Sequence, residues 1–252
     1  MKNAKKRSRL LRWITLGLLL VLLAGTAVYL GTSYHAAEEA LQMIVRPAAG
    51  ITVEELPGER IAFIPEEPAA GLIFYPGGRV QYEAYAPLMQ ACAERGILCV
   101  LVHMPFNLAV FSPNAADGIP KEYPEVKHWY VGGHSLGGVM AARWAASHED
   151  ALEGVVMLAA WSTEDLTASG LKVLTVVGTE DGVLNLPKYE AEKANLPPDA
   201  AEQILEGGNH AQFGSYGPQR GDGTASISPE EQWTQTADAV SQWIKASNAK
   251  EF

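Results

Sequence analysis

A chain of 252 residues, 48% of them apolar, can bury one sizeable core and is too apolar to be disordered. Its charge is uneven: Lys2, Lys5, Lys6, Arg7, Arg9 and Arg12 place +6 in residues 1–12, so a net −10 leaves −16 on residues 13–252. An acidic body is a poor electrostatic match for nucleic acid, which is excluded as the expected partner.

The first segment is apolar. Trp13 to Tyr34 carries no charge, and Ile14 to Leu30 is dominated by Leu, Val, Ile and Ala. About 20 helical residues cross a bilayer core of ~30 Å. With the basic flank on its N-terminal side, residues 1–34 are expected to be an uncleaved transmembrane anchor, the rest of the chain lying outside the cytoplasm. A cleaved signal segment, giving a secreted protein, is the alternative, but Tyr34-His35-Ala36 is a poor cleavage site. Residues 35–50 read as a linker, with a short helix around Ala36–Met43, and residues 51–252 as the folded domain.

Ile51–Leu56 and Arg60–Pro65 alternate apolar and polar around Pro57-Gly58, which predicts an antiparallel hairpin at a sheet edge. Strands and helices then alternate. Gly71–Tyr75 is a short strand, Tyr82–Arg95 a helix stopped by Gly96, and Ile97–Val102 a strand. Residues 106–127 are loop-rich. Strands follow at His128–Gly132, Gly154–Trp161, Leu171–Val177 and Ala201–Leu205, with a helix at Leu186–Ala194. Ser228-Pro229-Glu230-Glu231 has capping-box spacing and opens a last helix with Trp233, Ala237, Val240 and Ile244 on one face. Continuous apolar strands between helices predict a mostly parallel sheet covered on both faces. The short connection from Trp161 to Leu171 leaves no room there for a cap domain. Cys92 and Cys99, in a helical and a strand pattern, read as packed core thiols; whether they pair stays open.

Gly133-His134-Ser135-Leu136-Gly137 joins the His128–Gly132 strand to an alanine-rich helix. Strand, G-x-S-x-G and helix together make a nucleophile elbow, a turn tight enough to strain the serine backbone and project its hydroxyl. A serine hydroxyl needs a base, and the base needs an orienting carboxylate. His35 lies near the apolar segment, His103 and His128 precede Ser135, His134 is within the elbow and His148 ends its helix. In the α/β-hydrolases, which this elbow resembles, the chain order is serine, acid, histidine, and that order leaves His210, in Gly207-Gly208-Asn209-His210, as the base. The acid should follow a strand between Ser135 and His210. Asp181 in Gly178-Thr179-Glu180-Asp181-Gly182 is the choice, Glu180 its neighbouring alternative, and Glu164 and Asp165 sit one strand earlier. The oxyanion would need the N–H of Leu136 and a second from Pro76-Gly77-Gly78-Arg79, Gly78 before Arg79. Arg79 is also a candidate for an anionic substrate group, although a surface ion pair is its plainer reading. Phe213 and Tyr216 either wall an acyl pocket or pack beneath the last helix; Met104-Pro105-Phe106 and Phe111 are candidates for the opposite wall.

With these segments in order, residues 60–247 resemble the α/β-hydrolase superfamily, closest to its compact, lidless dienelactone-hydrolase-like branch. The matching pieces are Tyr75-Pro76-Gly77-Gly78, Gly133–Gly138, Gly178–Gly182 and Gly207–His210. The chain departs in two places. It has Ser135 where dienelactone hydrolases use cysteine, and Pro76-Gly77 stands for the usual His-Gly. The resemblance implies an α/β-hydrolase fold without a cap and a Ser135-Asp181-His210 triad. The expected activity is cleavage of a small carboxylic ester or thioester through an acyl-enzyme, without cofactor or metal. Acyl transfer, peptide or lactone hydrolysis on the same triad, and a non-catalytic binding module on a hydrolase scaffold, remain alternatives.

Overall fold

The computed structural model describes residues 2–249, with side chains described from 11 onward except at 27, 28 and 30. The chain divides into two compact units, 1–33 and 34–252. The first is the helix α1 (Lys2–Gly31). The expectation of a membrane-spanning anchor is not supported: among the described residues no helix is long and apolar enough to cross a membrane. Positions 27, 28 and 30 of the expected span lie outside the described side chains.

Residues 35–50 are not a free linker. They carry α2 (Glu38–Val45), whose Ala40 is fully buried. The Ala37 N–H donates to the Ser215 carbonyl at 2.8 Å, and the Ala48 N–H to Gln90 Oε1 at 3.1 Å. A short apolar helix face can gain stability only by covering a neighbour, here the 82–93 region, so this stretch joins the second unit.

That unit holds one eight-stranded sheet. β1 (Ile51–Leu56) and β2 (Arg60–Pro65) form the expected hairpin, in register Ile51 to Pro65. β3 (Ala70–Tyr75), β4 (Ile97–Val102), β5 (Trp129–His134), β6 (Gly154–Leu158), β7 (Lys172–Gly178) and β8 (Ala201–Leu205) follow. The spatial order is β1-β2-β4-β3-β5-β6-β7-β8, parallel from β4 to β8. β6 stops earlier than its apolar run, because Ala159 turns into the left-handed region at φ 46°. Every residue of β3, β4, β5 and β6 is buried, as a parallel sheet covered on both faces requires.

The two faces have separate cores. One gathers α3 (Ala86–Ala93) and α7 (Pro229–Asn248) against Phe74, Leu101 and Val176. The other sets α5 (Leu136–Ala145) and the 104–126 segment, which includes α4 (Ile119–Glu122), against Ile73, Val131 and Met157. The predicted 82–95 helix begins as a 3-10 turn, Tyr82–Tyr85, because Pro87 lacks an N–H and must stand in the first turn of α3. The last helix starts as its sequence predicts: Ser228 Oγ accepts the Glu231 N–H at 3.1 Å, a cap worth ~1 kcal/mol. Trp233, Ala237, Val240 and Ile244 are all buried. α6 (Leu186–Glu192) lies between β7 and β8. Cys92 and Cys99 are buried and free.

Candidate active site

The carboxyl ends of β5, β7 and β8 lie along one edge, close to the point where strand order reverses at β3, the place where open α/β sheets bind ligands. Ser135 stands between β5 and α5 at φ 52°, ψ −122°. Its N–H is held by the Leu158 carbonyl at 2.9 Å and its carbonyl by the Val139 N–H at 3.1 Å. A non-glycine residue keeps such a conformation only when its surroundings enforce it. Here the enforcement is close approach: a Cβ on Gly137 would overlap the Tyr75 and Pro76 carbonyl oxygens, and one on Gly133 would stand 2.6 Å from the Gly137 backbone. The serine is thus presented on a backbone turn packed against the end of β3.

Asp181 and His210 come together because β7 and β8 are adjacent and parallel. The loops beyond them are tied by the Glu180 N–H to the Gly208 carbonyl at 2.8 Å and the Gly207 N–H to Thr179 Oγ1 at 2.8 Å. Asp181 Oδ2 meets His210 Nδ1 at 2.8 Å, with both side chains 2% exposed. Asp181 Oδ1 accepts the N–H groups of Val183 at 2.8 Å and Leu184 at 2.7 Å. Burial pushes the Asp181 carboxyl up, but the His210 bond and those two N–H groups outweigh it, and its pKa lies below the usual carboxylate value. With Nδ1 engaged, Nε2 is the imidazole nitrogen left for a hydroxyl. The Ser135 hydroxyl itself holds no hydrogen bond to His210 among the described residues; such bonds are commonly long in a free enzyme and tighten with substrate.

The elbow histidine has its own partners. His134 is buried; its Nδ1 lies 2.8 Å from Tyr85 Oη, and its ring is 4.4 Å from that of His210. Burial, and then His210, hold the His134 pKa well below the ordinary histidine value, so this imidazole is neutral. Tyr85 Oη also accepts the Gly77 N–H at 3.0 Å. On the far side of the same loop the Arg79 N–H donates to the Asn107 carbonyl at 2.7 Å. Between these two engaged amides lies Gly78, where a Cβ would stand 3.1 Å from the Leu136 side chain. Gly78 and Leu136, the expected donor pair, are therefore neighbours.

Other expectations resolve differently. Phe213 is fully buried, with its ring 5.3 Å from that of His134. Tyr216 is 7% exposed, its ring 5.4 Å from Tyr34, and its hydroxyl is directed to Gln219 Oε1 at 3.1 Å. Neither presents a face to an open cleft, because the 211–213 turn folds them into the core beneath the imidazoles. Arg79 sits in the left-handed region at φ 65°, positioned by its backbone bond to Asn107. Met104 is buried, whereas Phe106 and Phe111 are exposed, with their rings 5.7 Å apart. Glu180 and Glu164 are apart from the His210 pair, Glu164 meeting Arg143 at 3.9 Å; Asp165 is exposed and engages Thr167. His103, His128 and His148 pair with Glu59, Glu153 and Asp117. Among the described residues no group of His, Cys, Asp and Glu has the arrangement of a metal site.

Two residues with no sequence signal of their own emerge here. Tyr85 reads as one more apolar position of a helix. Asp222, in an Arg-Gly-Asp-Gly loop, accepts backbone N–H groups from the loops that follow β7 and β8.

The Alpha/beta hydrolase family model matches residues 71–234. Comparison with curated protein sequences finds no match. Among solved structures, TT1662 from Thermus thermophilus is similar over 78% of this chain and 98% of its own, at 17% identity and TM-score 0.56. Est1E from Butyrivibrio proteoclasticus is similar over 80% of this chain and 100% of its own, at 13% identity and TM-score 0.57. A dienelactone hydrolase from Anabaena variabilis is similar over 78% and 98%, at 15% identity and TM-score 0.56. At these identities the likeness is one of fold.

Proposed function

This chain belongs to the alpha/beta hydrolase family, and from that premise we propose that it cleaves a small carboxylic ester or thioester through an acyl-serine intermediate. Ser135 Oγ attacks the carbonyl carbon while His210 Nε2 takes its proton. Asp181 keeps the imidazole in the tautomer with its proton on Nδ1 and steadies the imidazolium that forms. The oxygen of the tetrahedral intermediate takes the N–H groups of Leu136 and Gly78. His210 then returns the proton to the leaving alcohol or thiol, and water, activated by the same imidazole, releases the acid.

The buried 2.8 Å bond between Asp181 and His210, at the strand edge that also carries the elbow, is the observation that carries this reading. Two further features support it. Leu136 opens α5, so its N–H belongs to the first turn, where amides lack helical partners and face developing negative charge. Within the facing loop, the Gly77 and Arg79 amides are occupied by Tyr85 and Asn107, which favours Gly78 over Arg79 as the second donor. Each such donor is typically worth 10²–10³ in rate, or ~3–4 kcal/mol.

For the acyl group, exposed Phe106 and Phe111 replace Phe213 and Tyr216 as the apolar contact. Their loop adjoins Gly78: a Cβ there would lie 3.8 Å from the Leu108 side chain. A single exposed ridge favours short acyl chains, because long ones gain affinity only when most of their surface is enclosed. The test is a fluorophosphonate probe on the full chain, followed by p-nitrophenyl esters of increasing acyl length. Covalent labelling that vanishes in Ser135→Ala, with turnover best on short chains, is the expected result. Labelling unaffected by Ser135→Ala would overturn the assignment.

A further inference from the structure

Asp222 lies in the loop between His210 and α7. Its two oxygens accept four backbone N–H groups. Oδ1 takes those of Gly182 at 3.1 Å, His210 at 3.2 Å and Gly223 at 2.9 Å; Oδ2 takes that of Ala211 at 2.7 Å. Gly182 directly follows Asp181, and His210 is the imidazole that Asp181 meets. One carboxylate therefore grips both loops that carry the buried acid–imidazole pair. The junction has little slack: a Cβ on Gly182 would stand 2.6 Å from the Gly221 carbonyl oxygen, and one on Gly223 would overlap that of Glu180. Asn209 Nδ2 ties the base turn to the same loop, donating to the Gly223 carbonyl at 2.8 Å.

We infer that Asp222 is a positioning residue which sets how His210 Nε2 is presented to the Ser135 hydroxyl. It touches no reacting atom. It acts by fixing the 181–182 and 210–211 backbones in one frame, so that the Nδ1–Oδ2 contact and the plane of the ring are decided before substrate arrives. Hydrogen bonds from N–H groups to a carboxylate are roughly twice as strong as neutral ones. The four donors converge from three chain segments, which a side chain with one acceptor oxygen cannot satisfy. In Asp222→Asn the amide NH2 must face an N–H, donor against donor, either at Ala211 or at the Gly182–His210–Gly223 cluster. The two loops then lose their common anchor, although every catalytic group remains present.

This inference rests on the serine-hydrolase reading, and the experiment separates the two. Wild type, Asp222→Asn and Asp222→Glu are compared as full chains. The readouts are fluorophosphonate labelling, kcat and KM on a short p-nitrophenyl ester, the downfield proton resonance of the His210–Asp181 bond, and thermal melting. Asp222→Asn is expected to lower kcat by about ten- to a hundredfold, the usual effect of misplacing a catalytic group, with KM changed less than about twofold. The downfield resonance should broaden or vanish while the melt stays cooperative. Wild-type kcat in folded Asp222→Asn, or a loss that only tracks the folded fraction, overturns the inference and leaves the serine-hydrolase reading intact. If Asp222→Asn does not fold, Asp222→Glu, with its charge kept and its carboxylate moved by one methylene, must show the same kcat-specific loss; a wild-type rate there also overturns it. Absence of labelling in the wild type defeats the hydrolase reading, and this inference with it.

Discussion

Tyr85 Oη bridges the Gly77 N–H at 3.0 Å and His134 Nδ1 at 2.8 Å. A phenol has one proton. Accepting from Gly77 leaves that proton free for His134 Nδ1, and donation there goes with the imidazole tautomer protonated on Nε2. That nitrogen is buried without a hydrogen-bond partner among the described residues. One side chain thus ties the loop before Gly78 to the residue before Ser135.

Tyr85→Phe keeps the ring and removes that bridge. It leaves a buried amide and a buried imidazole nitrogen unsatisfied, at ~1–3 kcal/mol for such groups. The unfolding free energy from urea titration should fall by that amount, and kcat should fall about tenfold or more as the loop carrying Gly78 loosens. An unchanged kcat would show that Tyr85 serves packing alone.

Ser135 is held at φ 52°, where a Cβ is unfavourable and glycine is not. Strain of this kind costs ~1–3 kcal/mol, against which glycine's extra unfolded-state entropy sets ~0.5–1 kcal/mol. Ser135→Gly should therefore be more stable than Ser135→Ala by ~1 kcal/mol, with both inactive. Differential scanning calorimetry decides it, and equal melting temperatures would mean that the elbow stores no strain.

The carboxylate choice is tested by a pair of isosteres. Asp181→Asn should lower kcat by roughly 10³–10⁴, the scale seen when a triad loses its orienting acid. Glu180→Gln, at an exposed residue outside the His210 contact, should stay within about threefold of wild type. Reversal of the two effects would move the acid to position 180.

Stability should depend on pH through His134. In the unfolded chain this histidine binds a proton near the ordinary value of 6.5; in the folded chain burial and His210 keep it neutral. Below about pH 6.5 the unfolded state therefore holds more protons. The stabilisation from neutral burial is complete above that pH and declines as pH falls, by up to ~1.4 kcal/mol per unit. Asp181, also depressed, adds its own loss only as pH drops below about 4. Urea midpoints measured from pH 8 to 5 should fall, and His134→Gln, less stable overall, should give a flatter slope. A slope unaltered by that substitution would place the titration elsewhere.

Much of this molecule was legible from periodicity. The hairpin at 51–65, the strand at 97–102 and the cap at Ser228 form where local pattern places them, because alternation, β-branching and capping residues act over a few positions. The strained turn at Ser135 was legible because a strand–G-x-S-x-G–helix elbow compresses its requirements into five consecutive residues. Asp181 and His210 needed chain order as well as local pattern. The side chains at 213 and 216 were ambiguous, since an aromatic residue in a loop reads alike whether it walls a cleft or fills a core. The stretch 35–50 carries the short helix its sequence suggests, but the docking of that helix has meaning only once Ser215 and Gln90 are found beside it.

The sequence by itself determined the succession of strands and helices, the elbow and the identity of the groups that can carry charge, since all of these depend on neighbours along the chain. Only the tertiary structure decided which amide of Pro76–Arg79 is left open, that Asp181 rather than Glu180 meets His210, and that Tyr85 and Asp222 hold the edge together. Those outcomes depend on which donors have already been used by partners far along the chain, such as Asn107 for Arg79 and, 40 positions away, Gly182 for Asp222. Hydrogen bonds saturate, and their pairing is settled only when the strands lie side by side.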